Sequence, residues 1–83
     1  MIIVTTNVFH ADTKEKICVP SVVKFSKMII KNNGNSNVYI RFRKSEGYIT
    51  IKPKETKEFK GDIPYFFAKA ETGVQRLDIL CIG

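Results

Sequence analysis

The chain has 83 residues, 43% of them hydrophobic and 27% charged, which is the composition of one small folded domain and excludes a disordered segment. Its net charge is +6, and 11 of the 14 basic residues are lysines. Lysine is a strongly hydrated point charge, whereas arginine is the usual side chain for bidentate phosphate contacts, so this balance indicates a solvated surface more than a phosphate-binding one. No stretch approaches the roughly 20 apolar residues of a membrane-spanning helix, and the N-terminus lacks the features of a signal peptide. We therefore predict a cytoplasmic protein, or one assembled inside a cell into a larger particle, with no membrane partner.

The first part of the chain predicts three strands. Residues 2–9 are rich in β-branched side chains, and residues 10–16 form a polar loop that includes Lys14-Glu15-Lys16. Residues 17–19 predict a short strand that ends at Pro20, because proline cannot donate to a sheet ladder. Residues 22–31 have a mixed apolar spacing that also suits a helix. Their β-branched content favours a strand, with a bulge near Ser26 and Lys27 that switches its faces.

The clearest pattern in the sequence runs from residue 32 to residue 59. Residues 32–37 are a turn cluster, and its Asn33-Gly34 pair tolerates positive φ, so we predict a hairpin connection there. Residues 38–43 then alternate between apolar and polar side chains, which is the period of a half-buried strand. The predicted inner face carries Val38, Ile40 and Phe42, and the outer face carries Tyr39, Arg41 and Arg43.

The remaining elements continue the same alternation. A strand at residues 48–51 puts Ile49 and Ile51 inside and ends before Pro53, and residues 55–60 predict a charged edge strand anchored by Phe59. A strand follows at residues 65–70, and Gly73 sits in a short loop where a left-handed residue is needed. The alanines of the 65–70 strand share one face with Phe66: Ala68 and Ala70.

The last predicted strand, residues 74–82, is apolar on both faces. Leu77, Ile79 and Cys81 share one face, whereas Leu80 and Ile82 lie on the other. This pattern indicates a central strand or an oligomer contact, so we predict that Leu80 and Ile82 contact another copy. In total the sequence predicts an all-β protein: a single domain, residues 1–83, built as a small antiparallel β-sandwich or jelly-roll-like barrel of about 7–8 strands.

The two cysteines leave two alternatives open. Cys18 and Cys81 lie far apart in apolar surroundings, so a single disulfide between terminal strands is one possibility. Two buried free thiols are the favoured reading, because small disulfide-built domains usually carry more cysteines. Neither cysteine belongs to a CxxC pair, which argues against a zinc site.

No group of residues in the sequence indicates catalysis. The single histidine, His10, stands at a strand end without a nucleophile motif, and the glycines are scattered one per turn instead of forming a phosphate loop. Glu55 and Glu58 are the nearest pair of carboxylates, and their lysine neighbours indicate a charged strand surface. We therefore predict that the protein is not an enzyme and uses no metal or cofactor.

The best candidate for a binding face is the outer side of the 38–43 strand and its neighbour. Tyr39, Arg41 and Arg43 alternate there, and Tyr48 and Lys52 are expected across a hairpin from them. Aromatic rings beside cationic side chains can stack bases and contact phosphates, so a small nucleic-acid-binding β-barrel is one hypothesis. A glycan-binding sandwich with Tyr39 and Tyr48 as platforms is ranked below it.

A series of short motifs carries a family resemblance. They are M-I-I-K-N-N-G at residues 28–34, N-V-Y-I-R-F at 37–42, Y-I-T-I-K-P-K-E at 48–55, Y-F-F-A-K-A at 65–70 and L-D-I-L at 77–80. This order of strands and turns resembles small β-sandwich proteins of tailed-phage virions, namely capsid decoration, head-fibre and tail-attachment proteins. The chain departs from them at Pro53-Lys54, where Pro-Gly is usual. The resemblance implies a structural virion protein that forms a homo-oligomer, with a trimer as one arrangement, and docks on other virion proteins.

Overall fold

The computed structural model describes residues 4–20, 26–61 and 65–83, and the regular structure of these ranges consists of eight β-strands. The strands form two antiparallel four-stranded sheets, in the orders β1-β8-β3-β6 and β2-β7-β4-β5. This is the double Greek-key order of a jelly roll, and it confirms the predicted all-β sandwich. The strands are β1 (Val4–Ala11), β2 (Lys16–Cys18), β3 (Lys27–Asn32), β4 (Val38–Arg41), β5 (Ile49–Ile51), β6 (Thr56–Lys60), β7 (Phe66–Ala70) and β8 (Gln75–Ile82).

The core lies between the two sheets and is built from alternate residues of each strand. The period-two prediction is confirmed for β4, β7 and β8, whose inward residues are all buried. Alanines on β7 leave room for larger side chains of the facing sheet, such as Met28 and Leu77. The buried apolar set is Ala11, Cys18, Met28, Ile30, Val38, Ile40, Ile51, Phe66, Ala68, Ala70, Leu77, Ile79 and Cys81.

Several predicted boundaries are wrong by a few residues. β1 continues to Ala11, which pairs with Gln75, so His10 is a strand residue and not part of a loop. β3 pairs residue for residue with β8 from Lys27 onward, and the Ser26 amide also donates to the carbonyl of Ile82, which lies opposite Lys27. The predicted elements at residues 2–3, 22–25 and 62–64 lie outside the described residues.

The alternation of β4 ends earlier than the sequence pattern indicates. The strand stops at Arg41, and Phe42 lies just beyond it, half-buried against the core. The Phe42 ring stands 4.9 Å from the Phe59 ring, edge to face, so it still contributes apolar contact across the end of the sandwich. Arg43 therefore leaves the face that it was predicted to share with Tyr39 and Arg41.

The connection at residues 33–37 is not a hairpin. β3 and β4 belong to different sheets, so this segment carries the chain across the end of the sandwich. Neither Asn33 nor Gly34 has a positive φ, so the turn chemistry on which the hairpin prediction relied is not used. A predicted left-handed glycine is found instead at Gly73, which has a φ of 62°.

Asn32 holds this crossing segment from inside the protein. The residue is fully buried, and its Nδ2 donates to the carbonyl oxygens of Ser36 at 2.8 Å and of Ile51 at 2.9 Å. Its Oδ1 accepts from the Gly34 amide at 3.0 Å, and its own carbonyl accepts from the amide of Lys54. One buried amide therefore joins the end of β3, the crossing segment and β5, and its own polar atoms are satisfied.

Gln75 forms the second support of the crossing segment. Its Oε1 accepts from the Asn35 amide at 2.6 Å and from the Ser36 amide at 3.4 Å, and its Nε2 donates to the Thr72 carbonyl. Gly34 packs directly on this side chain, and a methyl group placed there would lie 2.0 Å from Gln75 Oε1 and 2.8 Å from its Cβ. Residue 34 is therefore a glycine because of this close approach.

We expect Gly34→Ala to destabilise the protein by about 2 kcal/mol, because the methyl group displaces Gln75 and breaks its hydrogen bonds. The measurement is the free energy of unfolding by chemical denaturation. Gly47→Ala is the matched control, since a Cβ at Gly47 meets nothing within 4 Å and its φ is not positive. Equal stabilities for the two variants would contradict the packing role given to Gly34.

Candidate functional site

The predicted binding face lies on the outer side of the β2-β7-β4-β5 sheet. Tyr39 and Arg41 point outward from β4, and Tyr48 precedes β5 with its ring 6.3 Å from that of Tyr39. Arg43 and Lys52 do not join them. Arg43 lies beyond the strand with its side chain 80% exposed, 3.7 Å from Glu46, and Lys52 is exposed in the turn after β5.

A carboxylate that was not predicted stands at the centre of this face. Glu15 Oε1 accepts from Arg41 Nε at 2.6 Å, and Glu15 Oε2 accepts from Arg41 Nη2 at 2.9 Å, which makes a bidentate ion pair. The hydroxyl of Tyr48 donates to Glu15 Oε1 at 2.6 Å. The third guanidinium nitrogen, Nη1, donates to the Lys44 carbonyl at 2.7 Å. Arg41 therefore connects β4 to the loop that contains Glu15 and to the loop that contains Lys44.

These contacts change the ionisation of all three groups. Hydrogen bonds from Arg41 and then from Tyr48 lower the pKa of Glu15 to about 2, because both stabilise the carboxylate. The hydrogen bond to Glu15 raises the pKa of Arg41 and also that of Tyr48. The site thus holds a permanent charge pair at neutral pH, and neither member is a proton donor or acceptor for chemistry.

Cations and aromatic rings surround the charge pair. The Tyr48 ring lies between Arg41, whose guanidinium carbon is 4.5 Å from its centroid, and Lys69, whose Nζ is 4.4 Å away. Lys44 Nζ stands 5.5 Å from the centroid of Phe67, which packs edge to face with Tyr65. Cations over ring faces are attracted by the ring quadrupole, so Lys44 and Lys69 make favourable cation–π contacts with these rings.

The outer side of the other sheet, β1-β8-β3-β6, is a second and more apolar face. The predicted contact residues Leu80 and Ile82 lie there on β8, half-buried between β1 and β3. Val4 and Val8 continue the apolar surface onto β1 and are 56% and 49% exposed. A cavity of about 400 Å³ opens on this face, lined by Thr6, Val8, Ile29, Lys31, Thr56, Asp78 and Leu80 among others.

The other residues considered for chemistry lie apart from both faces. Cys18 and Cys81 are buried free thiols, and burial raises the pKa of Cys18 to about 11, so its reactive thiolate form is suppressed. His10 is exposed on β1 opposite Arg76. Residues 4–20, 26–61 and 65–83 contain no group of three metal-ligating side chains. In the same ranges, no helix has the length and apolar character to cross a membrane.

The fold is similar to that of a solved domain. The chain superimposes on the crystal structure of the Cupin_2 domain of an XRE family transcriptional regulator from Enterobacter cloacae with a TM-score of 0.61. The two share 13% sequence identity over 96% of this chain and 94% of that chain, a level at which the likeness concerns the fold alone. No protein-family profile and no curated protein matches the sequence.

The lowered pKa of Glu15 predicts a specific dependence of stability on pH. Because the folded carboxyl has a pKa of about 2 against an ordinary 4.5, its stabilisation is complete above pH 4.5 and is lost as pH falls towards 2. We expect Glu15→Gln to have a lower Tm than the wild type at pH 7, and we expect this gap to shrink as pH falls from 4.5 to 2. Thermal unfolding from pH 7 to pH 2 measures this gap.

The control for this experiment is Glu71→Gln, which removes the same charge from an exposed side chain in the β7–β8 loop. Its Tm should follow the wild type throughout the pH range. A gap for Glu15→Gln that stays constant with pH would contradict the role of ionised Glu15.

Proposed function

We propose that this chain is a non-enzymatic structural protein that associates with copies of itself and docks on a larger assembly. The observation that carries the proposal is the apolar outer face of the β1-β8-β3-β6 sheet. Apolar side chains from three adjacent strands meet there: Val4, Val8, Ile29, Leu80 and Ile82. Contiguous apolar surface of this kind on a small domain marks an interaction site.

The composition of this face supports association. Val4 and Val8 of β1 are exposed, whereas Ile29 and Leu80 are half-buried and line the cavity. Asp78 on β8 lies between Val8 and Lys31 and lines the same cavity with them, so both signs of charge border the apolar residues on that side. An apolar centre with a polar rim is the usual organisation of a protein–protein contact.

We expect the chain to be an oligomer in solution and Val8→Lys to raise its dissociation constant at least tenfold, because the variant places a charge in the apolar contact. Sedimentation velocity over a range of protein concentrations measures the association. Val74→Lys is the matched control, since Val74 is 64% exposed in the β7–β8 loop, away from this face. A wild-type protein that stays monomeric at all concentrations would contradict the proposal.

The virion placement is a finer proposal, supported by the resemblance of the motifs at residues 28–80 to tailed-phage structural proteins. Its test is mass spectrometry of purified virus particles from the source of the chain. Presence of the chain in stoichiometric amount is expected. An oligomer that is absent from such particles would leave the assembly role and remove the virion role.

Nucleic-acid binding is a second candidate function, favoured by the lysine–aromatic contacts of the β2-β7-β4-β5 face. Arg41 contributes little to it, because all three of its guanidinium nitrogens already donate to protein oxygens. The available cations are Lys44 and Lys69, which lie over Phe67 and Tyr48. This arrangement suits the stacking of single-stranded bases more than the recognition of a base sequence.

If this second function holds, a fluorescent single-stranded oligonucleotide should bind at low salt and dissociate steeply as salt is raised. Lys69→Ala together with Lys44→Ala should weaken binding at least tenfold in fluorescence anisotropy. The control is Lys57→Ala with Lys60→Ala on β6, which removes the same charge from the other sheet. If the two double variants lose the same amount of oligonucleotide affinity, the oligonucleotide is attracted only by the net charge of the protein, which contradicts a binding site on this face.

A further inference from the structure

The two edges of the β1-β8-β3-β6 sheet differ sharply in sequence. β6 has five residues, including Lys57, Glu58 and Lys60, and a turn containing Pro53 precedes it. β1 has eight residues and contains no Lys, Arg, Asp, Glu or Pro. Charged side chains and proline are the devices by which edge strands avoid pairing with other chains. β6 is therefore protected in this way and β1 is not.

β1 presents a free strand edge in the part of the chain that the structure describes. It pairs with β8 along its whole length, and the described residues place no strand on its other side. Alternate backbone N–H and C=O groups of such a strand point away from the sheet and are available to a further strand. A long unprotected edge of this kind is a template for strand addition.

We propose that β1 pairs in antiparallel orientation with β1 of a second copy, about a two-fold axis at Thr6. The pairing joins the two four-stranded sheets into one eight-stranded sheet that spans both chains. This inference rests on the proposed self-association and names the surface that performs it. An isologous contact of this type closes a dimer, because each chain contributes the same strand.

The positions of the valines determine the register. On β1 the outward residues are Val4, Thr6, Val8 and His10, so the pairing must place even-numbered residues opposite even-numbered ones. An axis at Thr6 sets Val4 opposite Val8 of the second copy, and Val8 opposite Val4. The two outward valines that protrude most are then covered by each other in both halves of the dimer.

The inner side of β1 offers a polar pair in the same register. The axis at Thr6 sets Asn7 opposite Thr5 of the second copy, so two short polar side chains meet on this side while the valines cover each other on the outer side.

The other edges of the sandwich are poorer candidates. β2 and β5, at the edges of the second sheet, have three residues each and offer few backbone groups. β6 carries charged side chains at three of its five positions, which disfavour pairing with a further strand. With one unprotected long edge among the described strands, pairing stops at two chains and does not grow into a filament.

The test compares two exposed threonines on edge strands of the two different sheets. Thr6 lies on the outer face of β1, and Thr50 lies on the outer face of β5, away from the apolar face. In Thr6→Lys, two like charges meet at the two-fold axis, so the dissociation constant of the dimer should rise at least tenfold in sedimentation velocity. Thr50→Lys adds the same charge on the other sheet and should leave the dissociation constant within twofold of the wild type.

A cross-linking experiment tests the register without relying on affinity. Thr6→Cys places two thiols opposite each other at cross-strand distance, within reach of a disulfide. Under mild oxidation this variant should form a covalent dimer, and Thr50→Cys should not. The native thiols of Cys18 and Cys81 are buried and contribute only a background that the wild type measures.

The outcomes separate the pairing from the proposed function. Loss of association in Thr6→Lys alone, together with cross-linking of Thr6→Cys, supports the β1 dimer. An oligomer that both lysine variants leave intact, with no cross-link at residue 6, overturns the β1 pairing and leaves self-association through the apolar face. A chain that is monomeric at every concentration overturns both.

Discussion

The buried amide of Asn32 is the constraint on which the remainder of the sandwich depends. A jelly roll needs its chain to cross from one sheet to the other, and each crossing leaves backbone groups without ladder partners. Asn32 satisfies several of them together, because its side chain bonds the carbonyls of Ser36 and Ile51 and the amide of Gly34. Gln75 then holds the next two amides of the same segment. Two neutral side chains thus fix the relative position of β3, β4 and β5, and through them the register of both sheets.

The two outer faces that this scaffold presents differ in physical character. On the β2-β7-β4-β5 face, Glu15 and Arg41 bind each other in an ion pair, and Lys69 lies over the nearby Tyr48 ring. On the β1-β8-β3-β6 face, apolar side chains remain open to solvent beside an unprotected edge strand. The charged groups of the first face bind mainly to loops of the same chain. The apolar side chains of the second face remain exposed, so the proposed assembly contact is assigned to that face.

The sequence predicted most of the fold, because burial on one side of a strand imposes a period of two that short windows reveal. The inner residues of β4, β7 and β8 followed from that period, and the central position of β8 was one of the two alternatives that its two apolar faces indicated. The Asn33-Gly34 turn was misread, since local turn chemistry does not tell which sheet the next strand joins. Glu15 was missed for a related reason: its partner Arg41 is distant in sequence, and a lone acid between two lysines resembles ordinary solvated charge. Tyr39, Arg41 and Tyr48 were correctly placed on one face, whereas Arg43 was not, because β4 ends at Arg41.

The place of β8 in the sheet has a consequence for the order in which the chain folds. β8 separates β1 from β3 in space, yet it follows both of them along the chain. Until β8 has been synthesised, β1 has no ladder partner among the described strands, and β3 can pair only with β6. Completing this sheet therefore requires closure of the long loop between β1 and β8. Such a closure is the slow step expected of folds dominated by non-local strand pairing. During synthesis, β1 leaves the ribosome before the other seven strands and waits longest for its ladder partner, so its unprotected edge is exposed until β8 has followed.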